Sequence, residues 1–182
     1  MHRMMNLCLA LVLAAYLSGC QSVAGEEMVG APDEVVNTLK GIDMVYASYT
    51  GQELSARGGQ SCCIDIPAKW HPGMTATVEW TVDEHRDTNL GGSKKPHPDT
   101  PEWVIWGKIH ESQYVTRRAV VPVPRYDNIS SLTVVFLPCN QVVPIIDEVE
   151  RGRVMNTEGF GLVDYDAVIQ KRLGAKKSCP KS

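Results

Sequence analysis

Few of the features that usually announce a function are present in this sequence. Only 21% of its 182 residues are charged, and 21 Asp+Glu outnumber 18 Lys+Arg. That balance supplies neither an electrostatic footprint for nucleic acid nor a polybasic patch for anionic lipid. A membrane-spanning helix needs about 20 apolar residues; the run at residues 7–17 is too short, and no second one follows. There is no Walker loop and no dinucleotide glycine pattern. The nearest string to a G-x-S-x-G nucleophile elbow, Gly59-Gln60-Ser61-Cys62-Cys63, lacks the closing glycine. His110-Glu111 opens like a zinc-protease helix, but Tyr114 stands where the second histidine belongs. No Cys-x2-Cys spacing marks a zinc site. His71, His85, His97 and His110 are scattered, three of them in turn-like segments beside Pro or Glu, and read as solvated. The expectation is a protein that is not an enzyme, with no catalytic residue, metal or cofactor. At 43% hydrophobic residues it is a globular chain and not a disordered one.

What is there begins at the amino terminus. Met1-His2-Arg3, an apolar run and small residues ahead of a cut site make an export signal. Leu17-Ser18-Gly19-Cys20 resembles the bacterial lipobox, whose cysteine is acylated and becomes the first residue. By the same resemblance, Gln21 after it favours sorting to the outer membrane. Several acyl chains on one cysteine hold far better than the single chain that binds only marginally. The expected organisation is a signal over residues 1–19, a lipidated tether over 20–31 and one periplasmic domain over 32–182. The signal carries one basic residue, Arg3, so the remaining 163 residues hold 17 bases against 21 acids, a net of −4. That length suits a single domain with a core.

Cys8 leaves with the signal and Cys20 carries lipid, which leaves Cys62, Cys63, Cys139 and Cys179. In an oxidising compartment four cysteines read as two disulfides. Neighbouring cysteines bond each other with difficulty, because a disulfide wants Cα atoms about 4.4–6.8 Å apart. Two pairings then remain: 62–139 with 63–179, or 62–179 with 63–139.

Period-two alternation dominates the rest. In "MTATVEWTV" (74–82), Met74, Ala76, Val78, Trp80 and Val82 share one face and the threonines and Glu79 the other, a half-buried antiparallel strand. "IDMVYASYT", "SCCIDI", "EWVIWGKIH", "QYVTRRAVVPVP", "SLTVVFLPC" and "QVVPIIDEV" also read as strands, the last two joined by a tight turn at Cys139-Asn140. Pro32, the acids after it and Lys40-Gly41 give "PDEVVNTLKG" helix boundary signals. A second helix follows Asp164 or Asp166 and stops at Gly174. The fold class expected is mainly β (α+β): an antiparallel, sandwich-like domain with one C-terminal helix, braced by disulfides.

Residues 83–101, "DEHRDTNLGGSKKPHPDTP", are polar and aperiodic, and loops of that length tend to be functional or disordered. Asp83, Glu84, His85, Arg86 and Asp87 are therefore candidates for a partner-binding surface, with Trp103 as an aromatic anchor. In a strand, Trp103 and Trp106 fall on opposite faces. Asp147, Glu148 and Glu150 form an acidic cluster that is either a solvated strand end or part of the same surface.

Gly58, Gly59, Cys62, Cys63, Ile66, Pro67, Trp70, Pro72, Gly73, Val78 and Trp80, followed by Val123, Pro124, Tyr126 and then Phe136, Leu137 and Pro138, resemble the signature of an uncharacterised family of bacterial lipoproteins. The resemblance covers about residues 42–146, with His71 standing where Arg is more usual. It implies a neighbour of type VI secretion effectors of the lipase class, and for some members the role of cognate immunity protein. The expectation is an outer-membrane-anchored periplasmic lipoprotein that binds and neutralises a phospholipase or lipase effector. Disulfides lower the ordering cost of such binding, and a mildly acidic surface speeds encounter with a basic enzyme. The alternative is a structural or assembly lipoprotein of the envelope with no toxin partner. A small-ligand or hydrolytic lipoprotein would require a pocket with converging histidine and acid residues.

Overall fold

The computed structural model describes residues 25–56, 60–156, 164–176 and 178–179. The export signal, Cys20 and the Gly58-Gly59 pair lie outside the described residues. Two four-stranded sheets face each other across one core. The first runs β4-β1-β7-β8, with β1 Met28–Asn37, β4 Gln60–Pro67, β7 Ile129–Leu137 and β8 Gln141–Asp147. The second runs β3-β2-β5-β6, with β2 Asp43–Tyr49, β3 Gln52–Glu53, β5 Thr75–Asp83 and β6 Val115–Pro122. The alternation of 74–82 is realised as expected: Ala76, Val78, Trp80 and Val82 are buried, and Trp80 meets Phe136 of the facing sheet at 5.4 Å between ring centroids.

The sheets differ in how many faces they bury. In β7 every residue from Ser131 to Leu137 is buried, because two helices cover the outer face of its sheet. These are α2 (Glu148–Met155) and α3 (Tyr165–Arg172), whose Val154 and Ile169 pack on Val135, Leu137 and Ile145. Asp164 caps α3 by accepting from the Ala167 amide, and Gly174 ends it with φ 65°. The outer face of the second sheet carries Thr75, Arg118 and Val120 in solvent, the one-sided pattern of an antiparallel sheet. On one flank the Gln52 side chain bonds the Asp65 backbone twice, donating to its carbonyl at 3.1 Å and accepting from its amide at 2.8 Å. That contact latches β3 to β4.

Four expectations are corrected. The helix read over 32–41 is strand β1, and β1 pairs with β7 in parallel, so the first sheet is mixed. Ala31, Asp33 and Val35 point inward. Asp33 is fully buried and accepts from the Ser55 amide and the Ser61 hydroxyl, both at 2.7 Å. A satisfied carboxylate at an inward position hides the strand period, and pairing on both sides outweighs an isolated two-turn helix. The strand read over "EWVIWGKIH" is helix α1, Pro101–Glu111. Thr100 caps it by accepting from the Trp103 amide at 3.3 Å, Pro101 opens it and Glu102 lies in its first turn.

The disulfide pairings are corrected as well. Cys139 bonds Cys179, with Cα atoms 4.9 Å apart, tying the tail behind α3 to the β7–β8 turn. Cys62 and Cys63 lie side by side across a cis peptide bond, and neither reaches Cys139 or Cys179. Ile64 pairs Ala31 and Ser61 pairs Asp33, so the two cysteines face Pro32 alone and form a β-bulge. Phe136, close to Cys139, pairs Asn37. Five residue steps of β1 separate those levels, about 17 Å, well beyond disulfide reach. Lastly, the chain joins the sheet earlier than the expected boundary at residue 32, since β1 starts at Met28 and the Glu27 carbonyl already accepts from the Ala68 amide.

Candidate binding surface

Strands β5 and β6 are joined at one end of the sandwich by an excursion over residues 84–114, the polar segment followed by α1. The polar segment folds back on itself: Thr88 bridges Lys94, the Lys95 amide donates to the Asp87 carbonyl at 2.9 Å, and the Asn89 amide donates to the Ser93 carbonyl at 2.8 Å. The Trp106 indole then donates to the Ser93 carbonyl at 3.1 Å, fastening loop to helix.

Beneath α1 lies a buried polar clasp. His110 is 5% exposed, Asp83 8% and Asn89 5%. The Nε2 of His110 lies 2.8 Å from Asp83 Oδ2, and its Nδ1 lies 2.8 Å from Asn89 Oδ1. The Asn89 amide nitrogen donates to the Trp106 carbonyl at 3.3 Å, which turns its oxygen toward the imidazole and makes Nδ1 the donor. The other oxygen of Asp83 accepts from the His85 amide at 2.8 Å. Trp106 stacks on the His110 ring at 4.2 Å and 18°. A cleft of about 670 Å³ opens beside the clasp, with Arg86, Lys95, Trp103, Glu111 and Tyr114 among its walls. Here a histidine and an acid do converge on a pocket. Both nitrogens of His110 face protein oxygens, Asp83 on one side and Asn89 on the other. What the arrangement does is hold α1 against the end of β5.

The structure places the candidate residues in two groups. Asp83, Glu84, His85, Arg86, Asp87 and Trp103 come together at the α1 end. Asp83 is a buried member of the clasp, which corrects its reading as an exposed contact. Glu84 pairs with Arg117 of β6, and Arg86 donates through Nε to Asp43 at 2.8 Å, a bond that raises the guanidinium pKa. His85 and Asp87 are exposed. Trp103 is half-buried, stacked on Trp106 at 5.9 Å, with Lys95 Nζ 5.3 Å from the centre of its ring. The two tryptophans therefore share a helix face, and the opposite-face reading is corrected.

Asp147, Glu148 and Glu150 lie at the other end of the sandwich, beside Asp127 and Asn128. Asp147 is the N-cap of α2. Its carboxylate accepts from four backbone amides, those of Asp127, Glu150, Asn128 and Val149, and these bonds hold its pKa below the ordinary 3.8. Arg153 bonds Glu150 and lowers its pKa in the same way. Glu148 is exposed. The acidic cluster is thus largely engaged in local structure and is not continuous with the excursion. Among the histidines, His71, His85 and His97 are exposed as expected; His110 is buried, which is a correction.

Sequence reading missed the apolar outer face of α1. Val104 is 58% exposed, Ile105 64% and Ile109 49%, and Leu90 of the loop is 66% exposed. The signal was present: Thr100-Pro101-Glu102 is a cap, an N1 proline and a first-turn acid, and Trp103, Trp106 and His110 keep a helical spacing on the inner face. Among the described residues no group of His, Cys, Asp and Glu is arranged to hold a metal ion, and no helix is long and apolar enough to cross a membrane.

Residues 33–143 match the model of the family described as "Protein of unknown function (DUF3304)", and the chain belongs to that family. The match runs from the middle of β1 into β8 and includes the whole excursion, but not α2, α3 or Cys179. No curated protein matches. No solved structure matches either.

Proposed function

We propose that this DUF3304 chain is an exported lipoprotein, anchored to the outer membrane through Cys20, that binds and neutralises a type VI secretion phospholipase or lipase effector in the periplasm. The observation that carries the reading is the clasped excursion. Thirty-one residues between two strands are locked onto a sandwich by buried His110, Asp83 and Asn89, which supports reading them as a preformed surface. A preorganised surface loses little freedom on binding. The rest of the body is stiffened to match by the Cys139–Cys179 bond and by the Gln52 latch between the sheets. An inhibitor of an enzyme that attacks membranes is best stationed on the membrane under attack, and that is what acylation of Cys20 provides. The test is direct: the purified domain from residue 21 onward is titrated into a lipase-type effector encoded beside its gene, with vesicle hydrolysis as readout. The expected result is a stoichiometric complex and loss of hydrolysis; an effector that neither binds nor slows sinks the reading.

A further inference from the structure

Nine large hydrophobic side chains are exposed among the described residues, and four of them, Leu90, Val104, Ile105 and Ile109, belong to the excursion. At 100° per residue, Val104, Ile105 and Ile109 fall within one 140° arc of α1, which also contains a single charge, Lys108. Leu90 extends that arc past the helix end, because its amide donates to the Gln113 side chain at 2.8 Å, one turn beyond Ile109. A surface helix ordinarily turns its apolar stripe inward and its polar face outward. This one has a second apolar stripe facing solvent.

We propose that this outer stripe inserts into an apolar groove on a soluble protein partner, with Lys108 meeting a carboxylate at the groove's edge. The spacing of Val104, Ile105, Lys108 and Ile109 is that of helix-in-groove recognition, read from anchors one turn apart. If the partner is a lipase, as the functional reading on which this inference rests requires, the groove is its acyl-chain recess, since an acyl chain drawn from a bilayer needs an apolar place to lie. The stripe then plugs substrate entry.

The position of the stripe argues for a protein and against the bilayer. The chain enters at Glu27, bonded to Ala68, and β1 carries it from Met28 to Asn37, whose side chain donates to the Ile42 carbonyl beside Asp43 at the α1 end. Ten residues of strand put the two ends about 30 Å apart. From Cys20 to Glu27 a fully extended chain spans at most about 25 Å. For α1 to face down onto the membrane, the end where the chain enters would stand farther off than the tether reaches. A second copy is disfavoured by size: the exposed parts of the four side chains amount to roughly 400 Å², half of what each partner contributes to a standard interface. A groove that also walls the sides of the helix makes up that difference; a matching convex stripe does not.

The experiment compares Ile105→Asp and Val104→Asp with Val149→Asp, an exposed apolar residue on α2 at the other end of the sandwich. Binding to the effector, to phosphatidylethanolamine–phosphatidylglycerol vesicles and to itself is measured for each, with thermal melts to show that all fold. The α1 variants are expected to weaken effector binding about 30-fold or more, the loss of a hot spot, while Val149→Asp leaves it unchanged and palmitate competes with the wild type. Wild-type binding that both α1 variants retain overturns the inference and leaves the immunity reading standing on another surface. A wild type that ignores the effector removes the immunity reading and this inference with it. Vesicle binding, or a dimer, that Ile105→Asp abolishes overturns it in favour of lipid or a second copy.

Discussion

Helices α1 and α3 are built to opposite plans. α3 buries Ile169 against the first sheet and turns mostly polar groups to solvent, the ordinary solution for a helix covering a sheet. α1 buries a histidine and a tryptophan and leaves Val104, Ile105 and Ile109 outside. The polar residue is inside, satisfied at both nitrogens, and the aliphatic residues are in water. The difference teaches that α3 is there for the sheet, whereas α1 is carried by the sheet for something else. It also shows where stability should reside, on the inner face alone.

The largest effect is expected at Trp106. Its ring is 6% exposed, stacks on His110 and donates to Ser93, so Trp106→Ala should cost about 3–5 kcal/mol in urea unfolding. A cost below about 1 kcal/mol would mean that α1 is not packed as described, and the contrast with α3 would dissolve. His110→Ala comes next at about 3 kcal/mol, because it takes the imidazole from the buried carboxylate of Asp83 and leaves it the His85 amide. Replacing both partners, Asp83→Leu with His110→Leu, should cost less than either single change if the clasp acts as a unit. Additive costs would show two independent residues.

For α3 the corresponding device is covalent. The Cys139–Cys179 bridge spans 40 residues and contains α2 and α3; the variant Cys139→Ala with Cys179→Ala should lose about 2–4 kcal/mol. Hydrogen exchange should quicken in α3 and not in α1, and equal quickening in both would erase the distinction between them. A smaller, pH-dependent effect belongs to the cap of α2. The pKa of Asp147 is depressed by its four amide partners, so its contribution is complete above the unfolded value near 3.8 and fades as pH falls through the depressed one. The stability gap between wild type and Asp147→Asn should be present at neutral pH and close in acid. A gap that widens on acidification would contradict the cap geometry.

How much of this was legible depends on whether local signals agreed. β5 was readable because its period, composition and burial coincide, from Ala76 to Val82. The β7–β8 turn was readable because Pro138 precedes it and Asn140 occupies one of its two left-handed positions, Cys139 the other. β1 was not, since Asp33 occupies a core position and only its two distant hydroxyl and amide partners make that tolerable. α1 was misread because β-branched and aromatic residues outweighed a cap that occupies three positions. The clasp was out of reach, because Asp83, Asn89 and His110 converge only after a 27-residue path closes, and spacing along the chain carries no trace of that closure. The placement of Asp147 and Asp83 at opposite ends is likewise a property of topology. Two acidic segments read as one surface became two, with separate structural duties.

The smallest effect is the one that bears most directly on why α1 looks as it does. Val104 is 58% exposed on the fourth helical position, one turn before Lys108. Valine is a weaker helix former than glutamate, and a glutamate at 104 would pair with Lys108 at the favourable i,i+4 spacing. Val104→Glu should therefore stabilise the protein, by about 0.5 kcal/mol in urea unfolding, with unchanged hydrogen exchange in β5 and β6. A residue whose replacement improves the fold is not there for the fold. Were the substitution instead to cost more than about 1 kcal/mol, Val104 would have to pack on the excursion itself; the outer stripe would then be a second small core, and α1 would follow the same plan as α3.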